Sequence, residues 1–143
     1  MVAADTNLLV YAHRSDSPWH DRARAVVESL GTGGPWAIPW PCMHEFLAIV
    51  THPRIFKTPT PQEIAIEQLQ ALENAPNLVL LAEGEGYLSV LERLVLTARI
   101  QGGAVNDARI AALCLHHGVS ELWSADRDFA RFPALRTRNP LLE

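Results

Sequence analysis

A chain of 143 residues, 48% apolar and 20% charged, has ordinary globular composition and room for one domain with a real core. Its net charge of −4 excludes a protein that coats nucleic acid by overall positive charge, and no apolar run approaches the ~20 residues of a membrane-spanning helix. Cys42 and Cys114 form neither a disulfide framework nor a zinc spacing, and the N-terminus lacks the basic and apolar regions of a signal peptide, so a reducing cytosol is the expected home.

In chain order, Val2-Ala3-Ala4 is a short apolar run that reads as a strand and stops at Asp5. A helix follows directly, from Asn7 to about His13. Ser17 as N-cap and Pro18 at the first helical position open a second helix, with Ala23, Val26, Val27 and Leu30 on one face and Gly31, Gly33 and Gly34 as its stop. Trp36–Pro39 reads as a strand. The next helix runs from about Cys42 to Thr51, with Glu45 in its first turn and Phe46, Leu47, Ile49 and Val50 as its apolar face; His52-Pro53 ends it. Thr60-Pro61-Gln62-Glu63 has the form of a capping box, followed by Ile66, Leu69 and Leu72 at helical spacing.

Leu78–Leu81 is a short apolar run between turn residues and reads as a buried strand. Gly84 and Gly86 lead into a helix ending near Ile100, with Leu88, Leu91, Leu94, Val95 and Ala98 on one face, and Gly102-Gly103 closes it. Asn106 or Asp107 opens a further helix, with Ile110, Ala111, Leu113 and Cys114 inward and Gly118 as its C-cap. Glu121-Leu122-Trp123 is a strand leading to Ser124-Ala125-Asp126. A helical turn over Arg127–Arg131 and a strand near Leu135-Arg136-Thr137 finish the chain. The alternation of helices with short apolar strands predicts one α/β domain over residues 1–143, a three-layer α/β/α fold around a mainly parallel sheet.

In such folds, ligands bind beyond the carboxyl ends of the strands. Asp5 and Asp126 each follow an apolar strand, while Glu45 and Asp107 sit near helix starts. Taken singly, an acid at a helix N-terminus or a turn needs no functional explanation. Asp5 is harder to account for, because an acid between Ala4 and Leu8-Leu9-Val10 is costly unless it has a partner. Four acids meeting at one edge would repel one another unless a cation lay among them. A donor set of oxygen alone selects Mg²⁺ or Mn²⁺ over Zn²⁺, and such an ion suits phosphodiester hydrolysis.

Competing motifs fail. His44-Glu45 lacks a second histidine four residues on, where Ala48 stands, and no Gly-rich phosphate loop precedes a lysine. A phospho-acceptor signalling domain would want paired early acids and a late lysine; Asp5 stands alone and the single lysine is Lys57.

The series Asp5-Thr6-Asn7, Glu45, Asn106-Asp107-Ala108 and Ser124-Ala125-Asp126-Arg127-Asp128-Phe129 resembles the PIN domain and, more narrowly, the VapC toxins of bacterial type II toxin–antitoxin pairs. The stretch Trp40 to Phe56 is similar to actinobacterial members. The resemblance implies a Mg²⁺-dependent endoribonuclease, with Mn²⁺ as possible substitute, acting as the toxin of such a pair. It implies Asp5, Glu45, Asp107 and Asp126 as the catalytic acids, Asp5 and Asp107 as principal metal ligands, and Asn7, Ser124 and Asp128 in support. It further implies an RNA substrate, a cognate antitoxin that blocks the pocket, and a homodimer. With an acidic chain, the RNA backbone has to be held by local cations; Arg14, Arg54, Lys57, Arg109 and Arg127 lie near the motifs in sequence. A PIN-fold nuclease of RNA processing, with no toxin role, would use the same chemistry.

Overall fold

A computed structural model describes residues Met1–Glu143. Five parallel strands form one sheet: β1 (Val2–Ala4), β2 (Trp36–Pro39), β3 (Leu78–Leu81), β4 (Glu121–Trp123) and β5 (Thr137–Arg138), in the order β3-β2-β1-β4-β5. Six helices connect them: α1 (Thr6–His13), α2 (His20–Thr32), α3 (Trp40–Val50), α4 (Gln62–Glu73), α5 (Tyr87–Ala98) and α6 (Val105–His116). Consecutive residues of β1 and β2 are buried, Ala3, Ala4, Ala37 and Ile38 completely. Successive side chains of a strand face opposite ways, so both faces of the sheet are covered by helices.

The order of the strands sets the site. From β1 the chain winds outward to β2 and β3, then returns to lay β4 and β5 on the other side of β1. The connections after β1 and β4 therefore diverge, which is the arrangement that opens a crevice at the carboxyl edge. Ala4 pairs with Trp123 in register, so Asp5 and Ser124 leave the sheet side by side.

Several local expectations are corrected by tertiary partners. The helix α2 starts at His20 and not at Pro18, because the Ser17 hydroxyl accepts from the Trp19 backbone N–H at 3.1 Å and closes a separate turn first. The helix α3 starts at Trp40, which moves Glu45 from the first turn into the second. Thr60 does not cap α4. Its hydroxyl bonds His13 Nε2 at 3.0 Å and accepts from Arg14 at 3.2 Å, and α4 begins at Gln62 without a side-chain cap.

The strand β3 lies at the edge of the sheet, and its Val79 is exposed. Ile66 and Leu88 likewise face outward, while Ala65 and Leu72 on α4 and Tyr87 and Leu94 on α5 turn into the core. No helix is long and apolar enough to cross a membrane.

Candidate active site

Asp5 is pinned before it does any chemistry. Its backbone N–H donates to the Trp123 carbonyl at 3.0 Å, which extends the β1–β4 ladder by one residue. Its side chain then caps α1 and is almost fully buried. Burial of an anion without donors would be prohibitive, and the chain supplies four. Oδ1 accepts from the Thr6 backbone N–H at 2.8 Å and from the Cys42 thiol at 3.5 Å. Oδ2 accepts from the Ser124 hydroxyl at 2.7 Å and from the Asn7 amide at 3.1 Å. A carboxylate has about four lone-pair positions, so Asp5 is saturated by its own chain. Burial still raises its pKa above the usual 3.8. The Ser124, Thr6 and Cys42 bonds oppose that rise, and Asp126 nearby adds to it.

Asn7 and Ser124 lock the two diverging connections together. The Asn7 amide also donates to the Ser124 hydroxyl at 3.1 Å, and its oxygen accepts from the Ala125 N–H at 3.1 Å. Ser124 accepts in turn from the Asp126 N–H at 2.9 Å, and the Asp126 side chain accepts from the Asp128 N–H at 2.8 Å. The Ser-Ala-Asp-Arg-Asp stretch is thus folded into a fixed turn around Asp5.

Glu45 comes in from α3 and accepts the Thr6 hydroxyl at 2.7 Å. Its pKa is raised, first by burial and then by Asp5, with the Thr6 bond and Arg109 opposing. Asp107 comes from the first turn of α6. No hydrogen bond supports its carboxylate; burial raises its pKa, Asp126 and Asp128 push it further, and Arg131 partly offsets them.

Asp5, Asn7, Glu45, Asp107 and Asp126 line one cleft of about 570 Å³. Ser124 lies behind Asp5. Carboxylate oxygens of Asp107, Asp126 and Asp128 lie within 4.8 Å of one another.

This donor set fits a hard divalent cation. Every acid in it offers oxygen, no histidine or thiol joins the Asp107–Asp126–Asp128 cluster, and the crowded charges have too few local cations to balance them. Asp107 has free lone pairs, whereas Asp5 has to release a donor before it contacts an ion directly. The Cys42 thiol is the weakest of its four.

Among the basic residues near the motifs, Arg14 alone lines the cleft, and it is already paired with Asp16. Arg109 pairs with Glu83 at 3.3 Å. Arg54, Lys57 and Arg127 are exposed. Thr6 and Cys42 join the centre without being among the expected site residues. Thr6 stood inside the first motif, and Cys42 precedes Glu45 by three residues, which puts both on one face of α3.

A model of the PIN domain matches residues 2–135. The chain belongs to the PIN domain family. Its relatives include ribonuclease VapC48 of Mycobacterium tuberculosis, 35% identical over 137 residues and covering 95% of this chain and 94% of that protein. Ribonuclease VapC43 of the same organism is 37% identical over 142 residues, covering 99% and 96%. This PIN domain is therefore a VapC-type member. Among solved structures, VapBC2 from Rickettsia felis, bound to a DNA fragment from their promoter, aligns with a TM-score of 0.72 at 21% identity, covering 97% of this chain and 98% of that one. At that identity the likeness bears on the fold, and it agrees with the parallel five-stranded sheet described above.

Proposed function

We propose that this PIN domain is the toxin of a type II toxin–antitoxin pair, an endoribonuclease that hydrolyses RNA phosphodiester bonds at a Mg²⁺ site, with Mn²⁺ as a substitute. The observation that carries the metal dependence is the gathering of Asp107, Asp126 and Asp128 at the sheet's switch point, with no hydrogen bond to support Asp107. The names of the VapC relatives support the activity class.

Asp107 and Asp126 would hold the ion directly, with Asp128 beside them. Asp5 fixes the negative field at the base of the cleft and joins the ligands if the Cys42 thiol gives way. When bound, the ion lowers the pKa of the attacking water and stabilises charge on the phosphate. Glu45, held by Thr6 and with its pKa raised by burial, is placed to take a proton from that water. Ser124 and Asn7 act as positioning residues, since their contacts are to acids and backbone. A cognate antitoxin, a homodimer and a cytoplasmic setting complete the reading.

The test is cleavage of total RNA with 5′ and 3′ end mapping. Discrete cuts in Mg²⁺ or Mn²⁺ that stop with EDTA and return on adding excess Mg²⁺ support the reading. Cuts that persist through exhaustive chelation contradict it.

A further inference from the structure

The cleft has a second half that the acids do not use. Helices α1 and α3 pack on each other and both start at the carboxyl edge of the sheet. Each carries an apolar side chain one turn beyond a residue of the acid centre. Val10 follows Thr6 and Tyr11 follows Asn7 on α1, and Ile49 follows Glu45 on α3. Each step is four residues, about 6 Å along the axis. Ile55 and Phe56, from the loop after α3, add to this lining.

Arg14 is the one cation there. Its guanidinium donates to Asp16 at 2.9 and 2.6 Å and to the Thr60 hydroxyl at 3.2 Å, and lies 4.0 Å over the Phe56 ring. The charge is satisfied within the chain, so this arm is no phosphate clamp. It presents apolar walls, a tyrosine, and a phenylalanine whose ring lies against the largely buried Arg14 guanidinium.

We propose that the arm is a nucleobase subsite, taking the base of the nucleotide whose phosphate lies at the acid centre. The inference rests on the RNA-cleaving reading above. Single-stranded RNA is held by stacking of bases on aromatic rings and arginine planes. A base hangs one sugar away from its phosphate, and one helical turn separates Glu45 from Ile49. The cleft of about 570 Å³ falls within the roughly 300–1,000 Å³ of small-ligand sites, enough for one nucleotide. The two halves also divide its chemistry: an anion with its counter-ion at the acids, and a neutral flat ring in an arm with no excess charge.

The experiment titrates the four ribonucleoside 5′-monophosphates, and separately ribose 5-phosphate, into the Mg²⁺-loaded protein, following side-chain NMR resonances. The nucleotides are expected to shift Tyr11, Ile49, Ile55 and Phe56 and to bind about tenfold or more tightly than ribose 5-phosphate. Ile55→Ser, at an exposed position that folding does not need, and Tyr11→Leu each erase most of that difference while leaving ribose 5-phosphate binding unchanged.

Equal binding of all five ligands overturns the proposal, as does equal weakening of nucleotide and sugar phosphate in the variants. So does a result in which nucleotides leave the arm's resonances unmoved and the variants lose only a co-expressed protein partner, which makes the arm a protein-docking face. A parent protein that cuts no RNA sinks the functional reading and the subsite with it. A parent that cuts RNA but binds base and sugar phosphate alike sinks the subsite alone.

Discussion

Ser124→Ala removes one oxygen and disconnects the centre. The hydroxyl donates to Asp5 Oδ2 at 2.7 Å and accepts from the Asp126 and Asn7 N–H groups at 2.9 and 3.1 Å. Asn7 keeps its own bond to Asp5, and Asp126, half-buried, can turn to water. Asp5 cannot, because it is 4% exposed. A hydrogen bond to a charged group contributes roughly 1.5–3 kcal/mol, and the Asp126 N–H, which water can reach, adds little. The expected loss is about 2–3 kcal/mol in the metal-free protein, or about 6–12 °C in Tm for a domain of this size.

The loss also depends on pH. Ser124 favours ionised Asp5, so its contribution is full where Asp5 is ionised. It fades as pH falls through a folded pKa that burial holds above 3.8. Urea unfolding of both proteins at about pH 7 and again near the carboxylate range measures this. A loss below about 0.5 kcal/mol, or one that stays constant with pH, would refute the bond to a buried carboxylate.

Other consequences follow from the same contacts. Asp107→Asn should stabilise the metal-free protein, since Asp107, with a raised pKa and no donor, repels Asp126 and Asp128. A raised folded pKa costs stability as pH rises from the unfolded value of 3.8 through the folded one, so the variant's advantage in EDTA should grow with pH. Melting curves across pH test this, and a variant less stable than the parent at neutral pH would count against it. Thr6→Val removes the hydroxyl that holds Glu45 and should lower kcat by about tenfold while Thr6→Ser keeps most of it; equal activity of the two in single-turnover assays would mean Glu45 needs no such support. Cys42→Ala should free one Oδ1 lone pair of Asp5 and tighten Mg²⁺ binding, read by calorimetry. Unchanged affinity would show that the thiol does not compete with the ion.

The layering of the fold was legible because it depends on pattern. Runs such as Trp36–Pro39 and Glu121–Trp123 alternate with amphipathic helices, and such units give a parallel sheet. The meeting of Asp5, Glu45, Asp107 and Asp126 was legible for the same reason: each sits just past a strand or near a helix start, and those ends share one edge. What could not be read were contacts between distant positions. Ser124 reaches Asp5 across 119 residues, and only the β1–β4 register makes them neighbours. The Thr60 capping pattern was locally sound but lost to His13 and Arg14, which tertiary packing brings to the same hydroxyl. The saturation of Asp5 was equally hidden, because two of its four donors, Cys42 and Ser124, lie far along the chain.

In the proposed mechanism, RNA is cut at a metal held by the acid cluster. The most direct measurement is end-mapped cleavage of total RNA in Mn²⁺ by the parent and by Asp107→Asn, with circular dichroism to confirm that both are folded. Discrete cuts by the parent are expected, with a rate at least about a hundredfold lower for the folded variant, as when a catalytic metal loses a ligand. A folded Asp107→Asn protein that cuts the same bonds at the parent's rate would contradict it.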